Sequence, residues 1–166
     1  MATRSYISVE NEDGTYTAVY CHWDGYLAHN GATLIKYYTS REKIDELFSL
    51  GNLTSLRKEL YPDPRHTHSF DNPQKEVCVF YSRDRGDDFE NNQKFQIDLE
   101  EVYSEHPVDY CYVFTKDKKW MYFCPGVSDY DEDDLDYDYI DDDSDYENIE
   151  KPTVVLKDVA RDLEVV

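Results

Sequence analysis

The sequence predicts an α+β protein: an antiparallel sheet of about 5–6 strands with two or three short helices on one face, plus an acidic C-terminal segment. Three observations carry that prediction. β-forming residues flanked by turn clusters recur through residues 6–20, 77–81 and 110–123. A helical apolar stripe occurs between Leu34 and Phe48 and again, briefly, after Asp98. Residues 129–150 read DYDEDDLDYDYIDDDSDYENIE, with thirteen carboxylates, four tyrosines and no lysine or arginine.

The elements follow in order. Tyr6, Ile7 and Val9 lead into the turn cluster Asn11–Gly14, and Tyr16, Ala18, Val19 and Tyr20 return as the second arm of a hairpin. A polar-aromatic loop, Cys21-His22-Trp23-Asp24-Gly25-Tyr26, runs to His29-Asn30-Gly31. Its expected role is structural, with Asp24 and Asn30 bonding backbone and Trp23 and Tyr26 packed. Leu34, Ile35, Tyr37 and Tyr38 suggest a short helix. In Thr39-Ser40-Arg41-Glu42, Thr39 is placed to cap a second helix, with Ile44, Leu47 and Phe48 on one face and Gly51 as its stop.

Residues 52–73 contain three prolines and read as loop. Val77 to Tyr81 form an apolar run that reads as a central strand. Phe95 and Ile97 make a weaker strand, and residues 98–105 a short helix. Tyr110–Thr115 and Trp120–Phe123 flank Lys116–Lys119 as a hairpin that ends at Pro125-Gly126. Pro152 to Leu156 suggest one more strand, with Ala160 and Leu163 in a short tail. The expected organisation is a globular unit at 1–126, an acidic segment at 127–151, and a strand and helix at 152–166 packed on the domain. The only repetition is the local Asp-Tyr alternation.

Charge narrows the function classes. The net charge is −20, of which residues 129–150 supply −13, so the rest of the chain carries 24 acids against 17 bases. Such a balance opposes direct nucleic-acid binding, which needs Lys and Arg to displace counterions, and opposes docking on anionic membranes. No apolar run reaches the ~20 residues that span a bilayer, and the MATRSYISVEN start lacks a signal-peptide core. A cytoplasmic protein in a host cell is expected, its four scattered cysteines acting as small buried hydrophobes. Oligomeric state is left open.

Several pieces of the chain stand out: Tyr20-Cys21-His22-Trp23-Asp24-Gly25-Tyr26, His29-Asn30-Gly31, Leu50 to Leu56, His68-Ser69-Phe70-Asp71-Asn72-Pro73, Tyr81-Ser82-Arg83-Asp84-Arg85-Gly86, and Tyr110 and Tyr112 ahead of Lys119-Trp120. In that order, across about residues 1–124, they resemble a family of small phage-encoded proteins of unassigned function. The resemblance implies a phage or prophage origin and no catalytic role. The Asp/Tyr segment is a departure from the family pattern.

That segment is the first candidate site. Extended at about 3.3 Å per residue it would place a carboxylate every ~5.6 Å. As a helix rising ~1.5 Å per residue the spacing falls to ~2.5 Å. Duplex DNA carries a charge per ~1.7 Å of axis and ~3.4 Å along one strand, so nucleic-acid mimicry requires a compact arrangement. The expected charges are Asp131, Asp133, Asp134, Asp136, Asp138, Asp141, Asp142, Asp143 and Asp145, and the expected anchors Tyr130, Tyr137, Tyr139 and Tyr146. Against a calcium loop starting at Asp134, Tyr139 falls where glycine belongs and Asp145 where the bidentate glutamate belongs.

The alternative is a small-ligand or hydrolytic pocket formed by the Cys21–Gly31 loop and the Arg83–Asp88 turn, using His22, Trp23, Asp24, His29, Arg83 and Arg85. No metal spacing, phosphate-binding glycine loop or nucleophile elbow accompanies them. No cofactor or metal is expected. The favoured expectation is a phage-encoded acidic protein that binds and inhibits a host nucleic-acid-handling or immune-defence protein presenting a basic surface, without enzymatic activity.

Overall fold

The computed structural model describes residues 2–126 and 154–164. Its elements are β1 (Ser5–Glu10), β2 (Tyr16–Cys21), a π-helical turn at Leu27–Gly31, α1 (Ala32–Tyr37), α2 (Arg41–Ser49), β3 (Leu53–Ser55), β4 (Val79–Phe80), β5 (Phe95–Ile97), α3 (Leu99–Glu105), β6 (Tyr110–Phe114), β7 (Trp120–Phe123), β8 (Lys157–Asp158) and α4 (Val159–Glu164). The strands form one eight-stranded sheet in the order β4-β3-β2-β1-β6-β7-β8, with β5 paired to β2 beside β3. No helix among the described residues is long and apolar enough to cross a membrane.

The α+β class is therefore as expected, but the sheet is larger than expected and mixed. β1 and β6 run parallel, from Ser5↔Tyr110 to Val9↔Phe114, and β2 meets β3 in parallel at Cys21↔Leu53. The two hairpins predicted from their turns are antiparallel, β1 with β2 and β6 with β7. Turn chemistry reports only on neighbours in sequence. β1 and β6 are brought together by burial instead.

The register sorts side chains into two apolar layers. Ile7, Val9, Val19, Cys21, Tyr112, Phe114, Trp120 and Tyr122 point to one face. There they meet Leu34 and Tyr38 at the end of α1, Ile44, Leu47 and Phe48 of α2, and Val159 of α4. Cys111, Val113 and Phe123 point the other way, against Val102 and the segment around Val108. Helices thus cover both faces, with α3 opposite α1, α2 and α4, rather than one face as predicted. Burial of both alternating faces across Ile7–Val9 fits the central place of β1: Ser8, between Ile7 and Val9, is also fully buried and donates from Oγ to the Tyr112 carbonyl at 2.6 Å.

Local signals set several element ends, with small shifts. The cap of α2 is Ser40, accepting from the Lys43 N–H at 3.2 Å, not Thr39. Either residue has the required oxygen, and a shift of one residue aims Ile44, Leu47 and Phe48 at the sheet. α3 is capped by Asp98, which accepts from Glu100 N at 2.9 Å. Leu53–Ser55, read as loop, is a buried strand. Val79–Phe80, read as central, is at the sheet edge. The predicted strand at 152–156 gives way to β8 at Lys157–Asp158, pairing with Tyr122 and Met121; residues 152–153 lie outside the described part. Val159 is fully buried and the Tyr122 hydroxyl donates to Asp162 at 2.8 Å, so the register is fixed from the α4 side while Val155 stays exposed.

Candidate functional site

The Cys21–Gly31 loop leaves the end of β2 and folds back over the start of β1. Asp24 adopts a left-handed backbone, φ 57°, and Gly25 N–H then donates to the Thr3 carbonyl at 2.8 Å. A Cβ at Gly25 would sit 2.8 Å from that carbonyl oxygen, so only glycine permits the approach. The buried Tyr112 hydroxyl closes the loop from beneath by donating to the Gly25 carbonyl at 2.7 Å. Tyr112→Phe should cost about 1–3 kcal/mol, because it removes a donor from a buried acceptor without changing side-chain volume. A urea midpoint equal to that of the unsubstituted chain would contradict this role.

Asn30 is fully buried at the centre of the loop. Its amide nitrogen donates to Ser5 Oγ at 3.2 Å and the Trp23 carbonyl at 3.4 Å, and its Oδ1 contacts His29 Nδ1 at 2.9 Å. Nε2 of His29 lies 2.6 Å from Arg57 Nη1. A guanidinium only donates, so Nε2 is the acceptor and Nδ1 carries the proton given to Asn30. Arg57 Nη1 is also 3.8 Å from Asp24 Oδ2. Asp24, His29, Asn30 and Arg57 are therefore one chain of contacts. Both ring nitrogens of His29 are engaged in it, which leaves neither as a free base. Trp23 and Tyr26, expected to pack, are instead 43% and 41% exposed, because the loop spends its interior on Gly25 and Asn30.

The Arg83–Asp88 turn does not join this group. Asp84, its side chain 4% exposed, accepts from Phe80 N–H at 2.8 Å and from Arg83 Nε and Nη2 at 2.9 and 3.0 Å, and lies 3.4 Å from His68 Nε2. Arg83 also donates to the Leu60 and Cys78 carbonyls at 2.6 and 3.1 Å and covers the Phe80 ring. His68 Nδ1 accepts from Gln74 N–H at 2.9 Å. The His68 and Arg83-Asp84 motifs thus form one buried clasp over β4, with every group engaged in the fold.

The remaining candidates line an aromatic strip. His22 packs edge-on to Trp23 with ring centres 4.7 Å apart, and its Nδ1 lies 2.8 Å from the Tyr20 hydroxyl. Tyr20 stacks on Tyr81 at 6.4 Å, and Arg85 lies over both Tyr81 and Phe70, at 5.5 and 5.1 Å. The six residues of the expected pocket consequently divide three ways: Asp24 and His29 with Arg57, Arg83 in the clasp, and His22, Trp23 and Arg85 along the strip. All thirteen acidic-segment candidates, Tyr130 to Tyr146, lie outside the described residues.

Sequence reasoning missed the residues around Tyr37. A cleft of ≈ 590 Å³ beside the loop is lined by His29, Tyr37, Ser55, Arg57, Lys58 and Lys75, among others. Around Tyr37, one of its lining residues, the ammoniums of Lys36, Lys58 and Lys43 lie 5.2, 5.6 and 6.0 Å from the ring centre. Lys43 is also 4.4 Å from the Tyr38 ring. These residues come from α1, α2 and the chain after β3, and no spacing in the sequence announces that they meet.

Among the described residues no group of three or more His, Cys, Asp or Glu side chains is placed to hold a metal ion. Burial pushes the Cys21 thiol up to about 12 and raises Cys78 and Cys111 as well, so none supplies a thiolate at neutral pH. All three should resist alkylation until the chain unfolds. The phenols of Tyr38 and Tyr112 are raised by burial too, and Tyr20 is pushed up to about 12. Folded values above unfolded ones give stability that is complete below pH about 9 and lost as pH climbs toward 12. The urea midpoint should fall steadily above pH about 9; a flat profile to pH about 11 would contradict the burial of these groups.

No protein-family model, no curated protein and no solved structure matches the chain.

Proposed function

We propose that this chain is a non-enzymatic, cytoplasmic interaction protein of phage origin. In this reading its acidic segment binds a basic surface on a host nucleic-acid-handling or defence protein and blocks it. The observation that carries the reading is the charge distribution: −13 of the net −20 falls within residues 129–150, interleaved with Tyr130, Tyr137, Tyr139 and Tyr146. Thirteen carboxylates without a local cation repel one another strongly, and a surface lined by Lys and Arg would relieve that repulsion. Steering by charge speeds encounter, whereas buried tyrosines set the lifetime of the complex.

The described domain supports the same reading. Several of its motif residues are committed to structure, with His68, Arg83 and Asp84 in the clasp and both nitrogens of His29 in hydrogen bonds. The deciding experiment is affinity capture from host lysate at two ionic strengths, using the full chain and a version lacking residues 129–150. The reading expects a partner retained by the full chain at low salt, lost from the shortened chain, and displaced by added duplex DNA. Equal recovery by both versions would overturn it.

Against the hydrolytic alternative stands the engagement of both His29 ring nitrogens, by Asn30 and Arg57. Its ligand-binding half keeps one supporting observation, the cleft beside Arg57.

A further inference from the structure

We infer that the cleft between the Leu27–Gly31 turn, α1 and the segment after β3 binds a phosphate-bearing small molecule of nucleotide size. This inference is independent of the acidic segment. It rests on an unusual local charge. In a chain of net −20, Arg57, Lys58 and Lys75 line one cleft, and Lys36 and Lys43 join Lys58 around the ring of Tyr37, which also lines it. Two carboxylates also line it, Asp24 and Glu76, leaving the group cationic.

Such a cluster opposes itself. Each of the three ammoniums lies within 6.0 Å of one ring centre, which gathers like charges at one place. The Tyr37 and Tyr38 rings offset part of that repulsion, and Lys43 donates to the Lys58 carbonyl at 3.1 Å. No carboxylate among the described residues forms an ion pair with Lys36, Lys43, Lys58 or Lys75. Lys58 and Lys75 therefore line the cleft without an ion-pair partner among the described residues.

Arg57 provides the second, independent observation. Its Nη1 is held by His29 and lies near Asp24, which fixes the orientation of the guanidinium plane. Its Nε and Nη2 make no hydrogen bond among the described residues. That pair is the edge that grips two oxygens of a phosphate side by side. A half-buried arginine positioned by one nitrogen, with its forked edge uncommitted, is a recognition group; a merely structural arginine would spend both edges, as Arg83 does. Ser55 adds a hydroxyl to the lining, and ≈ 590 Å³ suits a ligand of nucleotide size.

Isothermal titration of the full chain with inorganic pyrophosphate and, separately, ATP at constant ionic strength tests this. Both should bind, and Lys36→Gln/Lys58→Gln, at two surface positions, should weaken binding by about tenfold without lowering the melting temperature. Arg57→Lys, which keeps the charge and loses the fork, should weaken it as well. Lys116→Gln/Lys118→Gln in the β6–β7 turn should not. ATP binding more tightly than pyrophosphate assigns part of the cleft to the nucleoside, and equal affinities assign the site to the phosphate pair; either upholds the inference. Absence of heat with both probes, or equal weakening by the β6–β7 turn substitutions, overturns it.

Discussion

Asp84→Ala should lower the stability of the fold by about 3 kcal/mol, among the largest single-residue effects expected in this domain. The carboxylate is almost wholly buried, with donors from Phe80 N–H and from two nitrogens of Arg83. Removing it orphans the Phe80 amide and leaves the Arg83 guanidinium facing His68 with no counter-charge. The lower end of the range for broken buried pairs applies, because the Arg83 side chain keeps 24% of its surface in water and retains the Leu60 and Cys78 carbonyls. Asp84→Asn preserves the shape and one acceptor, so its cost should be about half as large. A urea titration checks both, with a shifted midpoint and unchanged slope as the signature. A shift no larger than that of an exposed control such as Asp71→Ala would mean that the clasp is not what holds residues 68–84 to the sheet.

The second large effect concerns partner binding. Replacing Asp131, Asp133, Asp134, Asp136, Asp138, Asp141, Asp142, Asp143 and Asp145 with asparagine removes nine charges while keeping every tyrosine. Association with the captured partner should slow by about 10- to 1,000-fold at low salt, and its dependence on ionic strength should flatten. Tyr130, Tyr137, Tyr139 and Tyr146 changed to alanine should instead leave the on-rate nearly intact and shorten the lifetime of the complex. Stopped-flow or surface-binding kinetics separates the two. If the asparagine version associated as fast as the original, charge would have no part in the encounter.

What the sequence made legible, and what it did not, follows the range of the interactions involved. The Asn11–Gly14 and Lys116–Lys119 turns and the α2 stripe of Ile44, Leu47 and Phe48 are set by residues a few positions apart, and each element formed within about a residue of where those residues place it. The parallel pairing of β1 with β6 depends on residues more than a hundred positions apart and leaves no local trace. The apolar run at Val77–Tyr81 looked central because burial by loops and burial by flanking strands give the same composition. Here the Arg83–Asp84–His68 clasp supplies the cover at the sheet edge. Leu53–Ser55 is too short to show any period.

The same division holds for the candidate site. The YCHWDGY and HNG motifs correctly marked one unit, since Gly25, Asn30 and Tyr112 interlock through short loops and a single strand register. Arg57 was invisible, because its meaning comes from His29 and Asp24 reaching it across the fold. The acidic segment stood out from the sequence alone, for charge density needs no structure to be read.

The most direct test of the central claim is the ionic-strength dependence of the association rate between the full chain and its captured partner, measured beside the nine-asparagine version. A steep fall with salt is expected for the full chain and a slow, nearly salt-independent rate for the variant, the two converging at high salt. Two superimposable curves would contradict it.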